Sequence, residues 1–200
     1  MSKKLVVFLH GVGSQGSDLA GLGKMWQEQL PDVQFLSPNG PEPCDFGRGY
    51  QWFSVSGVTE QNRPARILSA RQSFDAHLNE LFAANDFNPQ HDKLVLVGFS
   101  QGSIMALDVL ASGRINLAGV VAFSGRLASP EPLTPQSDSH VLIIHGLSDP
   151  VMPPVLAELA AKELSTLGVD VQTYFEPNLA HQVSADGAER ALNFIKKQLS

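Results

Sequence analysis

The chain has 200 residues, of which 43% are hydrophobic and 17% are charged, so we expect one domain over residues 1–200 that buries a substantial core. The formal net charge of -6 argues against a nucleic-acid partner, because phosphate binding needs clustered Lys and Arg side chains. The one cysteine, Cys44, excludes an internal disulfide. The sequence shows no signal peptide and no apolar run near the roughly 20 residues that span a bilayer, so we expect a cytoplasmic protein without a transmembrane segment.

The first predicted strand, residues 4–10, leads into a glycine-rich loop, "LHGVGSQG" at 9–16. Residues 11–16 have the G-x-G-x-x-G spacing of a dinucleotide-binding turn. That fingerprint also needs an acidic residue at the end of the second strand, and "VQFLSPNG" ends its strand in serine. A dinucleotide site is therefore the weaker of two interpretations of this loop, the other being part of an oxyanion hole.

The second predicted strand, 33–36, precedes the longest irregular stretch of the chain, residues 37–61. This stretch contains too many Pro and Gly residues for regular structure but holds several aromatic side chains. Loops of this length in compact domains are usually functional or disordered, and the aromatic residues favour a packed loop. Trp52 and Phe53 are therefore candidates for an apolar wall of a substrate site, with plain packing under the sheet edge as the alternative.

A helix is predicted over residues 63–84, with Asn62 as its N-cap. Its apolar stripe is formed by Ile67, Leu68, Phe74, Leu78, Leu81 and Phe82. Arg71 is the single interruption of that stripe, and we expect the helix to lie on the sheet along this face.

The third predicted strand, 93–99, runs directly into Gly98-Phe99-Ser100-Gln101-Gly102, and a helix is predicted over 101–111. A G-x-S-x-G motif between a buried strand and a helix is typical of the nucleophile elbow. The glycines permit the tight turn that presents the Ser100 hydroxyl at the carboxyl end of the sheet. The N–H of Gln101, at the start of the helix, is placed to donate to an oxyanion, and the loop at 9–16 is expected to supply a second donor.

Two further strands are predicted at 118–124 and 140–146, followed by a helix at 155–167. Asp149 follows the second of these strands in "HGLSDP", which places it at the carboxyl edge of the sheet. That position suits the acid of a catalytic triad, whereas Asp138 precedes the strand and belongs to the opposite edge. A turn without catalytic function is the alternative role for Asp149.

The last predicted strand, 169–175, alternates apolar and polar residues, which indicates a position nearer the edge of the sheet. His181 lies between this strand and the last predicted helix, 185–199, for which Ser184 is the N-cap. Of the six histidines, only His181 is both in a loop at the carboxyl edge and late in the chain. The order serine, acid, histidine is that of α/β-hydrolases, in which the histidine is the base that activates the serine.

Most of the predicted strands are continuous runs rich in Val and Leu, which is typical of strands covered on both faces. Their alternation with helices predicts an α/β fold with a mostly parallel sheet and helices on both faces. No internal repeat, low-complexity tract or linker divides the chain.

Four motifs occur in order along the chain: "LHGVG", "GFSQGS", "LSDPVMP" and a late "AHQV". Together they resemble the phospholipase/carboxylesterase family, the small serine esterases that include the acyl-protein thioesterases. The segment "RGYQWFSVSGVTEQNRPAR" at 48–66 is especially similar to a bacterial branch of that family. The resemblance covers essentially the whole chain and implies an α/β-hydrolase fold with little or no cap domain.

The resemblance also implies roles for individual residues. Ser100 matches the nucleophile, Asp149 the acid and His181 the base. The backbone N–H groups of Val12 and Gln101 match the oxyanion hole. Neither a metal nor a cofactor is implied.

Two positions depart from the family's pattern. The family usually has glycine before the catalytic histidine, and Ala180 stands there in this chain, which implies a tighter histidine loop. The family often has aspartate after the HGxG motif, and here Ser14 takes its place, which implies weaker support for the oxyanion loop.

The expected function is a serine carboxylesterase or thioesterase that hydrolyses a small-molecule or lipid-like acyl ester through an acyl-enzyme. Val183 and Met152 join Trp52 and Phe53 as candidate substrate-binding residues. A catalytically weak binding module on the same fold is the alternative. A serine peptidase ranks last, because 200 residues leave no cap or propeller domain to hold a peptide. The acyl-chain length, the choice of ester or thioester and the oligomeric state, with a dimer as one option, stay open.

Overall fold

A computed structural model describes residues 2–200, and its centre is a six-stranded sheet in the order β2-β1-β5-β6-β7-β8. All neighbouring strands in this sheet are parallel, which confirms the predicted α/β class. β8 lies at one edge, as the alternation in its sequence indicates. The strands are β1 (Lys4–Leu9), β2 (Gln34–Leu36), β5 (Lys93–Phe99), β6 (Gly119–Phe123), β7 (His140–Gly146) and β8 (Asp170–Glu176).

Five helices in residues 2–200 cover both faces of the sheet. They are α1 (Ser17–Gln27), α2 (Arg63–Ala84), α3 (Gln101–Ser112), α4 (Val155–Thr166) and α5 (Ala185–Leu199). One apolar cluster joins α2, α3 and α4 to the sheet, and a second joins α1 and α5. Because side chains alternate along a strand, Leu5 and Val7 of β1 enter the first cluster while Val6 and Phe8 enter the second. Continuous apolar strands therefore follow from a sheet buried on both faces.

The ends of α2 and α5 agree with the predicted bounds, whereas α1 was not predicted. The cap at Ser184 is confirmed, since its Oγ accepts from the N–H of Gly187 at 2.9 Å. The prediction of Asn62 as the N-cap residue of α2 is confirmed, but its side chain makes no cap hydrogen bond to the helix. The Oδ1 of Asn62 instead accepts from the N–H of Thr59 at 2.8 Å, which closes the turn before the helix.

The predicted stripe of α2 needs one correction, and the structure explains its one interruption. Leu68 is 52% exposed and so does not face the core. Arg71 interrupts the apolar pattern because it pairs with Asp108 of α3, with Nη2–Oδ1 at 2.8 Å and Nε–Oδ2 at 3.0 Å. Asp108 is fully buried, so this charge pair ties α2 to the helix that follows Ser100.

The segment between β2 and α2 is more regular than its composition predicts. It contains a two-stranded antiparallel hairpin, β3 (Glu42–Pro43) and β4 (Tyr50–Gln51), with the free, half-buried Cys44 directly after β3. The other long connection, 124–139, contains no helix or strand, so within residues 2–200 the sheet carries little that could serve as a cap. No helix in the same residues is long and apolar enough to cross a membrane. The division of residues 1–200 into one domain stays a prediction.

Candidate active site

The turn between β5 and α3 holds Ser100 in a conformation that only its neighbours make possible. Ser100 has φ 53° and ψ -115°, a left-handed backbone that is strained for any residue with a side chain. A Cβ at Gly98 would lie 2.4 Å from the Ser103 nitrogen, and a Cβ at Gly102 would lie 1.9 Å from the Leu9 oxygen. Both positions therefore require glycine, which is the spatial reason for the G-x-S-x-G sequence. Ser100 is recessed rather than prominent, with 8% of its surface exposed.

The loop after β1 lies directly against this turn. An ideal Cβ at Gly11 would lie 3.4 Å from the Cβ of Ser100, so the loop passes close to the serine. Within residues 2–200 no acceptor takes the N–H of Val12 or that of Gln101. The N–H of Gln101 directly follows Ser100 in the chain and that of Val12 directly follows Gly11, so both stay candidate donors of an oxyanion hole.

The same loop does not offer a phosphate cradle, because the N–H groups of residues 13–16 already have protein acceptors. Gly13 donates to the Tyr50 carbonyl at 2.9 Å and Ser14 to the Gly11 carbonyl at 3.2 Å. The N–H groups of residues 15 and 16 donate to side-chain oxygens of Asp18 and Asn39. A nest for a pyrophosphate needs several free N–H groups, so the G-x-G-x-x-G letters do not form a dinucleotide turn.

Asp149 and His181 meet at the carboxyl edge of the sheet. The Nδ1 atom of His181 lies 2.7 Å from Oδ2 of Asp149. The other oxygen, Oδ1, accepts from the N–H groups of Val151 at 2.9 Å and Met152 at 2.8 Å. The ring of His181 also packs on that of Phe99, with 4.9 Å between centroids, which brings the imidazole beside the residue that precedes Ser100.

The charge state of Asp149 follows from these contacts. Burial raises the pKa of Asp149, but the hydrogen bonds from the Met152 N–H, the His181 ring and the Val151 N–H together lower it further, so the net pKa lies below its ordinary value. An ionised carboxylate that accepts from Nδ1–H leaves Nε2 of His181 as the free acceptor. Among residues 2–200 no hydrogen bond joins Ser100 Oγ to His181, and in enzymes without substrate this contact is often formed only on binding.

The sequence profile of the phospholipase/carboxylesterase family matches residues 1–199 of the chain. The chain belongs to this family. The predictions of a phospholipase/carboxylesterase family member and of a serine hydrolase acting on carboxylic ester bonds are therefore confirmed.

Individual relatives agree with this membership. The chain is 31% identical to esterase YpfH of Escherichia coli K12 over 195 residues, which cover 98% of this chain and 83% of the relative. It is 25% identical to acyl-protein thioesterase 1 of Gibberella zeae over 97% of this chain and 90% of the relative. The crystal structure of esterase PE8 superposes with a TM-score of 0.89 at 36% identity, covering 99% of this chain and 94% of PE8.

The two departures from the family pattern are accommodated locally in this phospholipase/carboxylesterase family member. Ala180 is exposed and does not adopt a positive φ, so its Cβ neither strains nor tightens the histidine loop. Ser14 donates from Oγ to Asp18 Oδ2 at 2.5 Å, and its carbonyl accepts from the Tyr50 N–H at 2.8 Å. The oxyanion loop is therefore well supported without an aspartate at position 14.

The proposed acyl wall at Trp52 and Phe53 needs correction. Their exposed fractions are 0% and 3%, and the Trp52 ring packs at 5.5 Å from that of Phe74 in the core. Such buried side chains do not form a surface that an acyl chain can reach, so the packing alternative holds for both residues. Met152 and Val183 are only partly buried, each at the edge of one apolar cluster, and they stay candidates for substrate contact.

Two polar side chains that no sequence motif marks, Gln101 and His10, hold the site together. The Oε1 of Gln101 accepts from the Trp52 N–H at 2.8 Å, and its Nε2 donates to the Phe53 carbonyl at 2.7 Å. His10 is fully buried, with Nδ1 donating to the Gly11 carbonyl at 2.7 Å and Nε2 accepting from the Gly40 N–H at 2.8 Å. Burial lowers the pKa of His10, which favours the uncharged ring that this bonding needs. The position of His10 next to the glycine-rich loop was the one available signal.

Within the described residues 2–200, no group of three or more His, Cys, Asp or Glu side chains has the arrangement of a metal site. The ionisable groups beside Ser100 are instead arranged as a carboxylate and an imidazole in direct contact. That pairing suits proton transfer to and from a hydroxyl.

Proposed function

We propose that the protein is a serine carboxylesterase or thioesterase that works through an acyl-enzyme, with Ser100 as nucleophile, His181 as base and Asp149 as acid. The contact of 2.7 Å between His181 Nδ1 and Asp149 Oδ2, next to the strained turn of Ser100, is the observation that supports it most. A scaffold that only binds a ligand has no need for a recessed serine, a fixed imidazole and a buried carboxylate at one sheet edge.

The acylation step uses the free Nε2 of His181. Nε2 takes the proton of the Ser100 hydroxyl while Oγ bonds to the acyl carbon, and the carbonyl electrons move to its oxygen. The N–H groups of Val12 and Gln101 stabilise that oxyanion. His181 then gives its proton to the leaving oxygen or sulfur, and the acyl group stays on Ser100.

Deacylation repeats these steps with water. Nε2 of His181 removes a proton from water, the hydroxide bonds to the acyl carbon, and the restored Ser100 hydroxyl leaves with the proton from His181. The Asp149 carboxylate keeps the ring in one tautomer and stabilises its protonated form in both halves of the cycle. No redox step and no external group transfer are needed.

The substrate we infer is a small-molecule or lipid-like acyl ester or thioester. The names of the relatives, esterase and acyl-protein thioesterase, support this class. Met152 follows Asp149 and Val183 follows His181, so these two partly buried side chains are the proposed contacts with the acyl group. A cytoplasmic location stays a prediction.

Labelling with a fluorophosphonate, which phosphonylates activated serines, tests the proposal. We expect the wild-type protein to be labelled and to hydrolyse p-nitrophenyl esters, and Ser100→Ala to do neither. Ser69→Ala, which removes an exposed serine from α2, is the matched control and should behave as wild type. Labelling that persists in Ser100→Ala would place the nucleophile elsewhere, and an unlabelled wild type would favour the binding module.

A substrate series separates the remaining alternatives. p-Nitrophenyl esters from acetate to palmitate define the preferred acyl length, and acyl-CoA thioesters of the same lengths compare sulfur with oxygen. A peptide p-nitroanilide tests the peptidase alternative, for which hydrolysis of the amide at a rate similar to that of the esters is expected. Activity on esters or thioesters alone supports the proposed function.

A further inference from the structure

A second imidazole, His145, lies beside the triad carboxylate and takes no part in the proposed mechanism. It occupies the penultimate position of β7 and is fully buried. Its Nε2 lies 2.7 Å from the Met152 carbonyl oxygen and 3.4 Å from Oδ2 of Asp149. Its Nδ1 is buried and has no hydrogen-bond partner among residues 2–200.

The bonding of His145 fixes where its hydrogen sits. A carbonyl oxygen only accepts, so the contact with Met152 requires a hydrogen on Nε2. That N–H donates to the Met152 carbonyl at 2.7 Å, and Oδ2 of Asp149 lies 3.4 Å from the same nitrogen. The same Oδ2 accepts from His181 Nδ1 at 2.7 Å, so the nitrogens of two imidazole rings lie within 3.4 Å of one carboxylate oxygen.

The contacts also close the turn that carries Asp149. The Met152 N–H donates to Asp149 Oδ1 at 2.8 Å, while the Met152 carbonyl accepts from His145. Asp149 is thus held from its own turn through Oδ1 and from the end of β7 through the Met152 carbonyl. Removal of the Nε2–H of His145 would release the Met152 carbonyl and leave the Asp149 turn held only through Oδ1.

We propose that His145 is a positioning residue, whose Nε2–H holds the Asp149 turn so that Oδ2 meets Nδ1 of His181. The inference rests on the proposed function, because it assigns His145 a role in the orientation of the general base. A purely apolar side chain would fill the same space without burying an unpartnered Nδ1, which costs free energy. The polar ring is therefore explained by its Nε2–H rather than by packing.

Amide side chains distinguish the two ring nitrogens. The Nε2 of a glutamine reaches about as far as the Nε2 of histidine, whereas the amide nitrogen of asparagine reaches only as far as Nδ1. We expect His145→Asn to lower kcat by about tenfold or more with KM changed less than about twofold, since the hydrogen bond to the Met152 carbonyl that holds the Asp149 turn is lost. His145→Gln should stay within about threefold of wild-type kcat.

Two controls separate positioning from folding. His140→Asn removes the imidazole at the other end of β7, where it faces the exposed Asp170, and should leave kcat unchanged. Thermal unfolding of every variant gives the folded fraction by which kcat is corrected. His145→Met, which fills the volume without a donor, takes the place of His145→Asn should the latter not fold at 25 °C.

A double-mutant cycle tests whether His145 acts through Asp149. In an Asp149→Asn background the rate constant of fluorophosphonate labelling should change less than about twofold when His145→Asn is added. Equal kcat for wild type, His145→Asn and His145→Met, or equal losses in His145→Asn and His145→Gln, would overturn the inference while the proposed function stands. A wild type that neither labels nor hydrolyses esters would overturn the proposed function itself.

Discussion

His181 and Asp149 approach to 2.7 Å between Nδ1 and Oδ2 although 32 residues separate them in the chain. Asp149 belongs to the turn after β7 and His181 to the loop after β8, and these two strands are parallel neighbours at the edge of the sheet. Because parallel neighbours end at the same edge, their following loops meet. The pair is therefore a consequence of the sheet order, and its chemistry can be tested at one residue.

Asp149→Asn is expected to lower kcat by about 10⁴-fold. The asparagine Oδ1 can still accept from the Val151 and Met152 N–H groups, so the turn should persist. The Nδ2 group then faces Nδ1 of His181 and, as a donor, forces the ring hydrogen to Nε2, where it blocks the base. Steady-state kinetics on a p-nitrophenyl ester, with circular dichroism as the check on folding, measure the effect.

Asp138→Asn is the matched control for that change. Asp138 is exposed and precedes β7 at the opposite edge of the sheet, so the kcat of Asp138→Asn should equal that of wild type. A loss in Asp149→Asn no larger than that in Asp138→Asn would assign Asp149 to a turn without catalytic function.

The lowered pKa of Asp149 makes a prediction about stability at low pH. The unfolded chain, with an ordinary aspartate pKa of about 3.9, binds the proton more readily than the folded protein, because the folded-state pKa is lower. The contribution of Asp149 is therefore complete above the unfolded value and is lost as the pH falls through the folded value. We expect the free energy of unfolding of wild type, relative to Asp149→Asn, to decrease between about pH 5 and about pH 3.

The comparison with Asp149→Asn removes the effect of other carboxylates. Asp18 and Asp92 also have a lowered pKa, Asp18 chiefly through the Ser14 hydroxyl and Asp92 chiefly through the Asn88 N–H. They titrate alike in both proteins and cancel in the difference. Urea unfolding at several pH values measures this difference in the free energy of unfolding. A difference that grows in favour of wild type toward low pH would contradict a lowered pKa of Asp149.

The fold was predictable where a local pattern matched a whole element. α2 and α5 were placed at their observed bounds because each carries a long periodic apolar pattern. α1 was missed although Leu19, Leu22 and Trp26 have helical spacing and face the second apolar cluster. Gly21 and Gly23 lie within that pattern, and glycine is typical of turns, so the tertiary contact of Trp26 outweighs local propensity here.

Site residues could be predicted where a local sequence motif marks them. Ser100, Asp149 and His181 were predicted from the order of loops at one sheet edge, and the structure brings the side chains of Asp149 and His181 into contact. The Gln101 amide that joins α3 to the Trp52 and Phe53 backbone has no sequence signature, because it depends on how a distant loop folds back. The burial of Trp52 follows from the same contact, which is why an aromatic residue in a Gly-rich loop was mistaken for a substrate wall.

The charge network between α2 and α3 predicts a stability effect away from the active site. Arg114 donates from Nη1 to the buried Asp108 at 2.8 Å and from Nε to Asp75 at 3.0 Å. Burial raises the pKa of Asp75 despite this pairing. Arg114→Met leaves Asp75 without its cation and Asp108 with Arg71 alone, and should lower the free energy of unfolding by about 3 kcal/mol.

Lys3→Met is the matched control for Arg114→Met. Lys3 pairs with Asp86 on the surface, where the two side chains are 47% and 99% exposed, and such pairs contribute little. Urea unfolding at pH 7 should show no measurable change for Lys3→Met. Equal effects of the two substitutions would mean that the buried network contributes no more than a surface pair.

Two glycine-to-alanine substitutions test the space requirement of the elbow. A Cβ at Gly102 would lie 1.9 Å from the Leu9 carbonyl oxygen of β1, whereas a Cβ at Gly21 of α1 meets nothing within 4 Å. Gly102→Ala must push α3 from the sheet, so we expect a loss of about 3 kcal/mol or more and of esterase activity. Gly21→Ala lies within α1 and removes backbone freedom from the unfolded chain, so it should stabilise the fold by about 0.5–1 kcal/mol at unchanged kcat. Thermal unfolding and ester hydrolysis measured together decide the matter, since an active and stable Gly102→Ala protein would show that the close approach of α3 to β1 is not needed to hold Ser100.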